Sequence, residues 1–265
     1  MKQRSGDAVT IQTVQQVFGA ASLRRLCIVI AYPNRTAVPE PGTGTAVRHG
    51  GELFVVTCQH VAGDFFSMSA GELLFLRLPR VPRASCSLVY ADEKLDLAVI
   101  HVSREAAARL NGLEPLSIAD FGDARAFRRA TARSKWNYVV AGFPGALASF
   151  GPESNRITLN PLIFGTTVRR RRGLKLTLDY EHGLKEGKQL VPEGMSGSLV
   201  FEMREPVGKD LWEPGIAVGV QHAWNDVKRT LVCSPVHPCV RAIKRYSKCG
   251  SKDPATRREH RDVQS

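Results

Sequence analysis

The sequence predicts an all-β protein of antiparallel barrels or sandwiches, closed at its C-terminal end by a helix. Two observations carry this. Short β-rich segments recur at near-regular spacing between Gly, Pro and charged turns, and helical apolar periods are few. A doubly wound sheet would need strands alternating with long helices, and these are missing.

In chain order, residues 8 to 20 permit one helix, with Val14, Val17, Phe18 and Ala21 at roughly helical spacing. A first set of strands is expected at Leu26–Tyr32, Gly44–Val47, Glu52–Thr57, Leu73–Leu78, Ser87–Tyr90 and Leu97–Val102. Residues 111–134 are polar and turn-rich. A second set follows at Tyr138–Ala141, Leu162–Val168, Leu174–Leu178, Gly197–Phe201, Ile216–Gln221 and Thr230–Cys233. A closing helix is expected from His237 to about Tyr246. The chain thus divides into an extension over 1–24, a folded domain over 25–246, and a basic tail over 247–265. Within the domain the first half spans about 25–110, the second about 135–236 and the helix 237–246.

A chain of 265 residues can bury a proper core. Its apolar fraction of 43% and charged fraction of 23% are those of an ordinary globular protein. No apolar run approaches the roughly 18 residues needed to cross a bilayer, so no membrane span is expected. The N-terminus lacks the apolar core of an export signal, with Arg24 and Arg25 interrupting its apolar stretch. The expected location is therefore the cytoplasm, where Cys27, Cys58, Cys86, Cys233, Cys239 and Cys249 stay reduced. Pairing of Cys58 with His60, or of Cys233 and Cys239 with His237, matches no standard zinc spacing, so no metal is expected. The formal charge of +12 is partly gathered in Arg169–Arg172 and in the tail from Lys244 to Arg261. A weak nucleic-acid contact through the run and the tail is one reading. The simpler reading is a solvated turn and a disordered tail.

Three segments carry chemistry. Pro41-Gly-Thr-Gly-Thr-Ala-Val47 precedes Glu52-Leu-Phe-Val-Val-Thr-Cys-Gln-His-Val61, which reads as a strand ending at His60, where the imidazole can face a cleft. A dinucleotide loop is excluded, because Val47 stands where the third glycine is needed and no helix follows. In Leu95-Asp-Leu-Ala-Val-Ile-His-Val102, Asp96 stands at the mouth of an apolar strand. Its partly buried carboxylate needs a partner, and a histidine N–H is a suitable one. In Pro192-Glu-Gly-Met-Ser-Gly-Ser-Leu-Val-Phe201, Gly194 and Gly197 flank Ser196. Glycines allow the backbone N–H groups of Gly194 and Ser196 to point into one spot, as an oxyanion hole requires. Taken singly, each has a plainer explanation: a structural histidine, a turn-capping aspartate, a glycine-rich turn. Together they run His60, Asp96, Ser196, the chain order of the chymotrypsin-type triad, with the nucleophile on the second half.

With these motifs the sequence resembles the trypsin-like peptidases, nearest to the catalytic domain of HtrA-type bacterial proteases. Gly42–Gly44, Thr57–Val61, Asp96–Val99 and Gly194–Gly197 match that family's segments in order, over roughly residues 25 to 245. The resemblance implies a pair of antiparallel β barrels and a serine endopeptidase that needs no cofactor. Gly142-Phe-Pro-Gly145 and Gly219-Val-Gln-His222 are weaker matches. Ser198 stands where the family has a second glycine, and too few residues follow the helix for the PDZ domain usual in HtrA proteases. The resemblance also implies a substrate pocket lined by Leu190 and by Val220, Gln221, His222 and Trp224. Because Leu190 occupies the place of the carboxylate that selects Lys or Arg, small or medium uncharged side chains such as Ala, Val, Leu or Thr are expected before the scissile bond. Limited cleavage of a protein partner, as in stand-alone peptidases of bacterial defence, is the setting the family suggests.

Two alternatives compete. An esterase of the α/β-hydrolase type could follow Ser196 with Asp210 or Asp226 and then His237, but its elbow motif needs glycine at Ser198. A catalytically inactive module of the same fold, binding protein or nucleic acid, would draw on the basic segments.

Overall fold

A computed structural model describes residues 25–32, 40–68, 70–75, 78–130, 138–144, 148–151, 156–159, 162–180, 191–204 and 213–249. The helix expected at 8–20 and most of the basic tail lie outside these residues.

The first half forms β1 (Leu26–Tyr32), β2 (Glu40–His49), β3 (Glu52–Thr57), β4 (Ala70–Phe75), β5 (Val81–Pro82), β6 (Cys86–Asp92) and β7 (Leu97–Val102). They lie side by side in the order β5-β4-β1-β2-β3-β7-β6, with the short β8 (Leu116–Ser117) pairing parallel to β2. The second half forms β9 (Tyr138–Gly142), β12 (Leu162–Thr166), β13 (Val168–Arg172), β14 (Lys175–Asp179), β15 (Leu199–Arg204), β16 (Glu213–Asn225) and β17 (Thr230–Pro235), ordered β12-β9-β15-β16-β17-β14-β13. A separate hairpin joins β10 (Ala148–Gly151) to β11 (Arg156–Leu159). Helices are α1 (Gln59–Ser67), the short α2 (Arg104–Ala108) and α3 (Ala124–Arg129), and the closing α4 (His237–Lys248). Two antiparallel barrel-like sheets with one C-terminal helix is the all-β architecture expected.

All six residues of β3 are buried, the mark of a strand covered on both faces. One face looks into the first barrel, and on the other Phe54 meets Tyr246 of α4 edge-on, ring centroids 5.7 Å apart. The first core runs on without a break from Val55, Phe65 and Ile100 to Leu199, Phe201 and Val220 of the second sheet and Ile243 of α4. A second cluster fills the other barrel around Phe164, Tyr180 and Met195. A third joins the halves, setting Leu26 and Ile28 of β1 against Val139 and Phe143.

The expected strand ending at His60 stops at Thr57, and His60 is the second residue of α1 instead. Val61, Ala62 and Phe65 recur at helical spacing and bury one face of that helix. The Arg169–Arg172 run, expected as a turn, lies in β13. Pairing with β14 satisfies one side of its backbone while its side chains stay exposed at the sheet edge. No helix among the described residues is long and apolar enough to cross a membrane.

Candidate active site

His60 sits in the first turn of α1 and Asp96 in the turn entering β7. Asp96 adopts the left-handed conformation (φ 51°), which aspartate tolerates better than most residues. That turn brings its carboxylate back to α1, where Oδ1 accepts the His60 backbone N–H at 3.0 Å and Oδ2 meets His60 Nδ1 at 2.7 Å. An ionised carboxylate only accepts, so Nδ1 carries the proton and Nε2 is left with a lone pair facing outward. The hydrogen bond that the ring donates to Asp96 holds the His60 pKa above its ordinary value, against partial burial that would lower it. Burial pushes the Asp96 carboxyl up, but the ring and backbone N–H groups of His60 together outweigh it, and its pKa is lowered.

Ser196 comes from the second barrel. Met195, fully buried in the second core, anchors its turn from below. The Met195 N–H bonds the Pro192 carbonyl at 3.1 Å, closing a tight turn in which Gly194 takes φ 87°, the positive-φ third position of a type II turn. Gly197 follows at φ 99°, and a Cβ there would overlap the Thr43 carbonyl oxygen and the Thr57 hydroxyl. Among the described residues neither the Gly194 nor the Ser196 N–H has a hydrogen-bond acceptor, so both donors remain available beside the hydroxyl.

Thr43, at the centre of Gly-Thr-Gly, ties the barrels together. Its N–H donates to the Ser196 carbonyl at 2.8 Å, its hydroxyl donates to the Gly194 carbonyl at 2.9 Å, and that hydroxyl accepts the Phe143 N–H at 3.0 Å. Thr57 in turn donates to the Thr43 carbonyl at 2.7 Å. On β16 the Gln221 carbonyl accepts from the Gly197 N–H at 2.8 Å and from the Cys58 thiol at 3.2 Å, joining the Ser196 turn to the start of α1. Ser198 is accommodated because Gly142 faces it: its hydroxyl fills the space a Cβ at Gly142 would need. No hydrogen bond joins the Ser196 hydroxyl to His60 among the described residues. Such bonds commonly tighten only when substrate is bound.

The structure places the expected pocket residues unevenly. Leu190 lies outside the described residues. Val220 is fully buried in the core cluster that spans both barrels, so its side chain supports the cleft rather than lining it. Gln221 is buried, with its amide donating to the Ala223 carbonyl at 3.3 Å. Trp224 packs edge-on against Tyr180, ring centroids 5.2 Å apart. His222 lies elsewhere than a pocket wall: its Nδ1 is 3.7 Å from Asp96 Oδ2, and its Nε2 is buried without a partner among the described residues. Burial lowers its pKa, so the second ring beside the carboxylate is the one held neutral. Sequence reasoning named His222, Cys58 and Gly142 in other roles and gave none to Thr43, because each acts here through residues distant in the sequence.

Cys58, His60 and Asp96 present ligand atoms within 4.8 Å of one another. The Cys58 thiol is fully buried and its pKa is pushed well up by that burial, so it is a poor thiolate donor.

No protein-family model matches the sequence, and no curated protein matches it. Solved structures do. A serine endoprotease from Yersinia pestis superposes with a TM-score of 0.53 at 14% identity, over 86% of this chain. The chain spans 65% of that protein's length. The active form of the Rv3671c protease from M. tuberculosis gives 0.50 at 14% identity, covering 87% of this chain and 84% of that one. The MamO protease domain from Magnetospirillum magneticum gives 0.50 at 14% identity, covering 84% and 97%. The shared feature at such identities is the backbone, and that backbone is the two-barrel fold of trypsin-like serine proteases.

Proposed function

We propose that the chain is a serine endopeptidase working through His60, Asp96 and Ser196. The observation that carries this reading is the carboxylate-bound imidazole together with a glycine-flanked serine, linked through Gln221 to the start of the helix that carries His60, whose turn offers two unpaired N–H groups. His60 Nε2 takes the Ser196 hydroxyl proton as Oγ bonds to the peptide carbonyl carbon. The carbonyl electron pair moves to oxygen, which the Gly194 and Ser196 N–H groups stabilise. His60 then gives the proton to the leaving amine as the C–N bond breaks. Water attacks the acyl ester by the same exchange of protons and restores Ser196. Asp96 holds the ring orientation and stabilises the imidazolium throughout.

Beyond Gln221, whose backbone bonds Gly197 and Ser198, β16 has no partner strand on the side of β15 among the described residues. An extended peptide can lie along this edge by strand addition. Limited cleavage of a protein partner is the role that suits so specific a frame.

The unbonded Ser196 hydroxyl is the one observation that favours a non-catalytic binding module. A fluorophosphonate probe separates the two readings: covalent labelling mapped to Ser196, absent in Ser196→Ala, is expected. Intact, folded protein that takes no label under conditions where a known serine peptidase is fully labelled would overturn the enzyme assignment.

A further inference from the structure

We propose that His222 is a positioning residue for the triad, presenting a ring N–H to the Asp96 carboxylate at an acceptor site that His60 leaves open and so holding that carboxylate in place. The inference rests on the peptidase reading and adds one residue to its machinery.

The strand is irregular where it carries this ring. Gln221 pairs with Cys233 and Ala223 with Val232, so His222 is the extra residue of a bulge in β16. Bulges re-aim a side chain. The residue before it is fixed on both sides: the Gln221 N–H donates to the Ser198 carbonyl at 2.8 Å, and the Gln221 carbonyl accepts from the Gly197 N–H and the Cys58 thiol. His222 thus follows directly on a position tied both to the Ser196 turn and to the start of α1. Its side chain is only 11% exposed and ends with Nδ1 3.7 Å from Asp96 Oδ2.

The chemistry of the two groups sets the direction of the contact. Asp96 Oδ1 takes the His60 backbone N–H and Oδ2 the His60 ring, and each carboxylate oxygen has a second lone pair to offer. A nitrogen lone pair turned to that oxygen would be repelled, so the His222 proton sits on Nδ1 and the lone pair on Nε2. Nε2 is buried without a partner among the described residues. Such an orphaned acceptor is costly, and Leu would fill the space without that cost, so the reason for the ring lies in its other nitrogen. At 3.7 Å the contact is longer than a hydrogen bond: in the resting site it is an N–H dipole facing a charge, and it tightens when substrate binds, as catalytic contacts commonly do. The titratable groups around the ring are Asp96 and His60, with Asp64 one turn further along α1, Cys58 at the start of that helix and Lys175 on β14. Burial keeps both the Cys58 thiol and His222 neutral, so the ring serves as a neutral donor.

Three substitutions separate this role from space filling. Asn carries its amide nitrogen at the place of Nδ1, Gln carries its amide at the place of Nε2, and Leu has similar bulk and no donor. His222→Asn is expected to keep kcat on a peptide within about threefold of the parent. His222→Gln and His222→Leu are expected to lose about tenfold in kcat, the worth of one hydrogen bond, with KM within about twofold. In these two the acid limb of kcat/KM is expected to move to higher pH, because an Asp96 short of one donor holds the His60 proton harder. Melting curves show which variants are folded, and the Asn and Gln pair decides the matter even where Leu unfolds the protein. Equal kcat and an unmoved acid limb across the variants, or an Asn variant as poor as the Gln one, would overturn the proposal and leave the peptidase reading in place. Changes confined to KM and to the residue preferred before the scissile bond would overturn it too and return His222 to the wall of the substrate pocket. A parent protein that cleaves no peptide and takes no label at Ser196 would sink the peptidase reading and this inference with it.

Discussion

The two barrels hold their parts of the site by different means. In the first, one carboxylate does the holding: Asp96 accepts both the backbone and the ring N–H of His60, so the pair is built from one turn and one helix start of the same barrel. In the second, the Ser196 turn is held from two sides, by Thr43 of the first barrel and by the Gln221 carbonyl of its own β16. The imidazole should thus be set as soon as the first barrel folds, while the Ser196 turn is fully held only when the barrels dock. Charge orders one half of the site and backbone packing the other.

The largest expected effect comes from removing the charge. Asp96→Asn keeps the size of the side chain but can present a donor to Nδ1, which turns the ring to the wrong tautomer, at a cost of about 10⁴-fold in kcat. Its pH profile sharpens the point. Activity needs neutral His60, whose pKa is raised by Asp96, so in the parent protein kcat/KM should rise with pH through an apparent pKa above the ordinary histidine value of about 6.5. In the variant that limb should move to lower pH. An acid limb that stays in place would mean that the group titrating is not His60 bound to Asp96.

Breaking the packed half should cost less in rate and more in fold. Gly197→Ala places a methyl against the Thr43 carbonyl and the Thr57 hydroxyl at a φ of 99° that alanine adopts only with strain. The turn must shift, and misplacement by an ångström is worth about 10²-fold. A fall of about this size in kcat/KM is expected together with a lower melting temperature, whereas Asp96→Asn should lose activity with little loss of stability. Parent-like activity in Gly197→Ala would show that the barrels dock without this contact.

The same contrast decides what could be read from the sequence. His60, Asp96 and Ser196 were legible because each lies in a short motif whose residue types state their chemistry. The strand sets were legible too, since period-two burial leaves its mark on composition. The boundary at His60 was not: Thr57 and Val61 frame a segment that passes for the end of a strand, and the helical spacing of Val61, Ala62 and Phe65 is too short a signal until their burial is seen. Equally hidden were Thr43 and Gly142, whose roles arise from residues of the opposite barrel. His222 read as a pocket residue because nothing local shows that β16 carries it to Asp96. Arg169–Arg172 read as a turn because charge argues for exposure, and an edge strand satisfies exposure as well as a turn does.

The smallest effect on activity is expected at the far end of β3, where a second carboxylate–histidine contact has no access to the cleft. Glu52 is buried and accepts from Arg104 Nε at 2.7 Å, with His101 Nε2 at 3.1 Å, and His101 in turn lies against Tyr246 of α4 with ring centroids 5.0 Å apart. The cluster fastens α4 to the first barrel. Five residues of strand, about 16 Å, separate Glu52 from the Thr57 end, so Glu52→Gln should leave kcat/KM on a peptide within about twofold. Its stability should fall by about 1–2 kcal/mol, the range for losing charge-assisted bonds to a buried acceptor after allowing for the exposure of Arg104. That corresponds to roughly 2–8 °C in melting temperature. The hydrogen bond from Arg104 leads the contacts that lower the Glu52 pKa. A carboxyl depressed on folding contributes stability that is present above its unfolded value, about 4.3, and is lost as pH falls through the folded value. The difference between parent and Glu52→Gln should therefore be full at pH 7 and close as the pH drops below about 4. Thermal melts of both proteins across that range test it: a gap that persists undiminished in acid would mean that packing, not the ionised carboxylate, holds the helix in place.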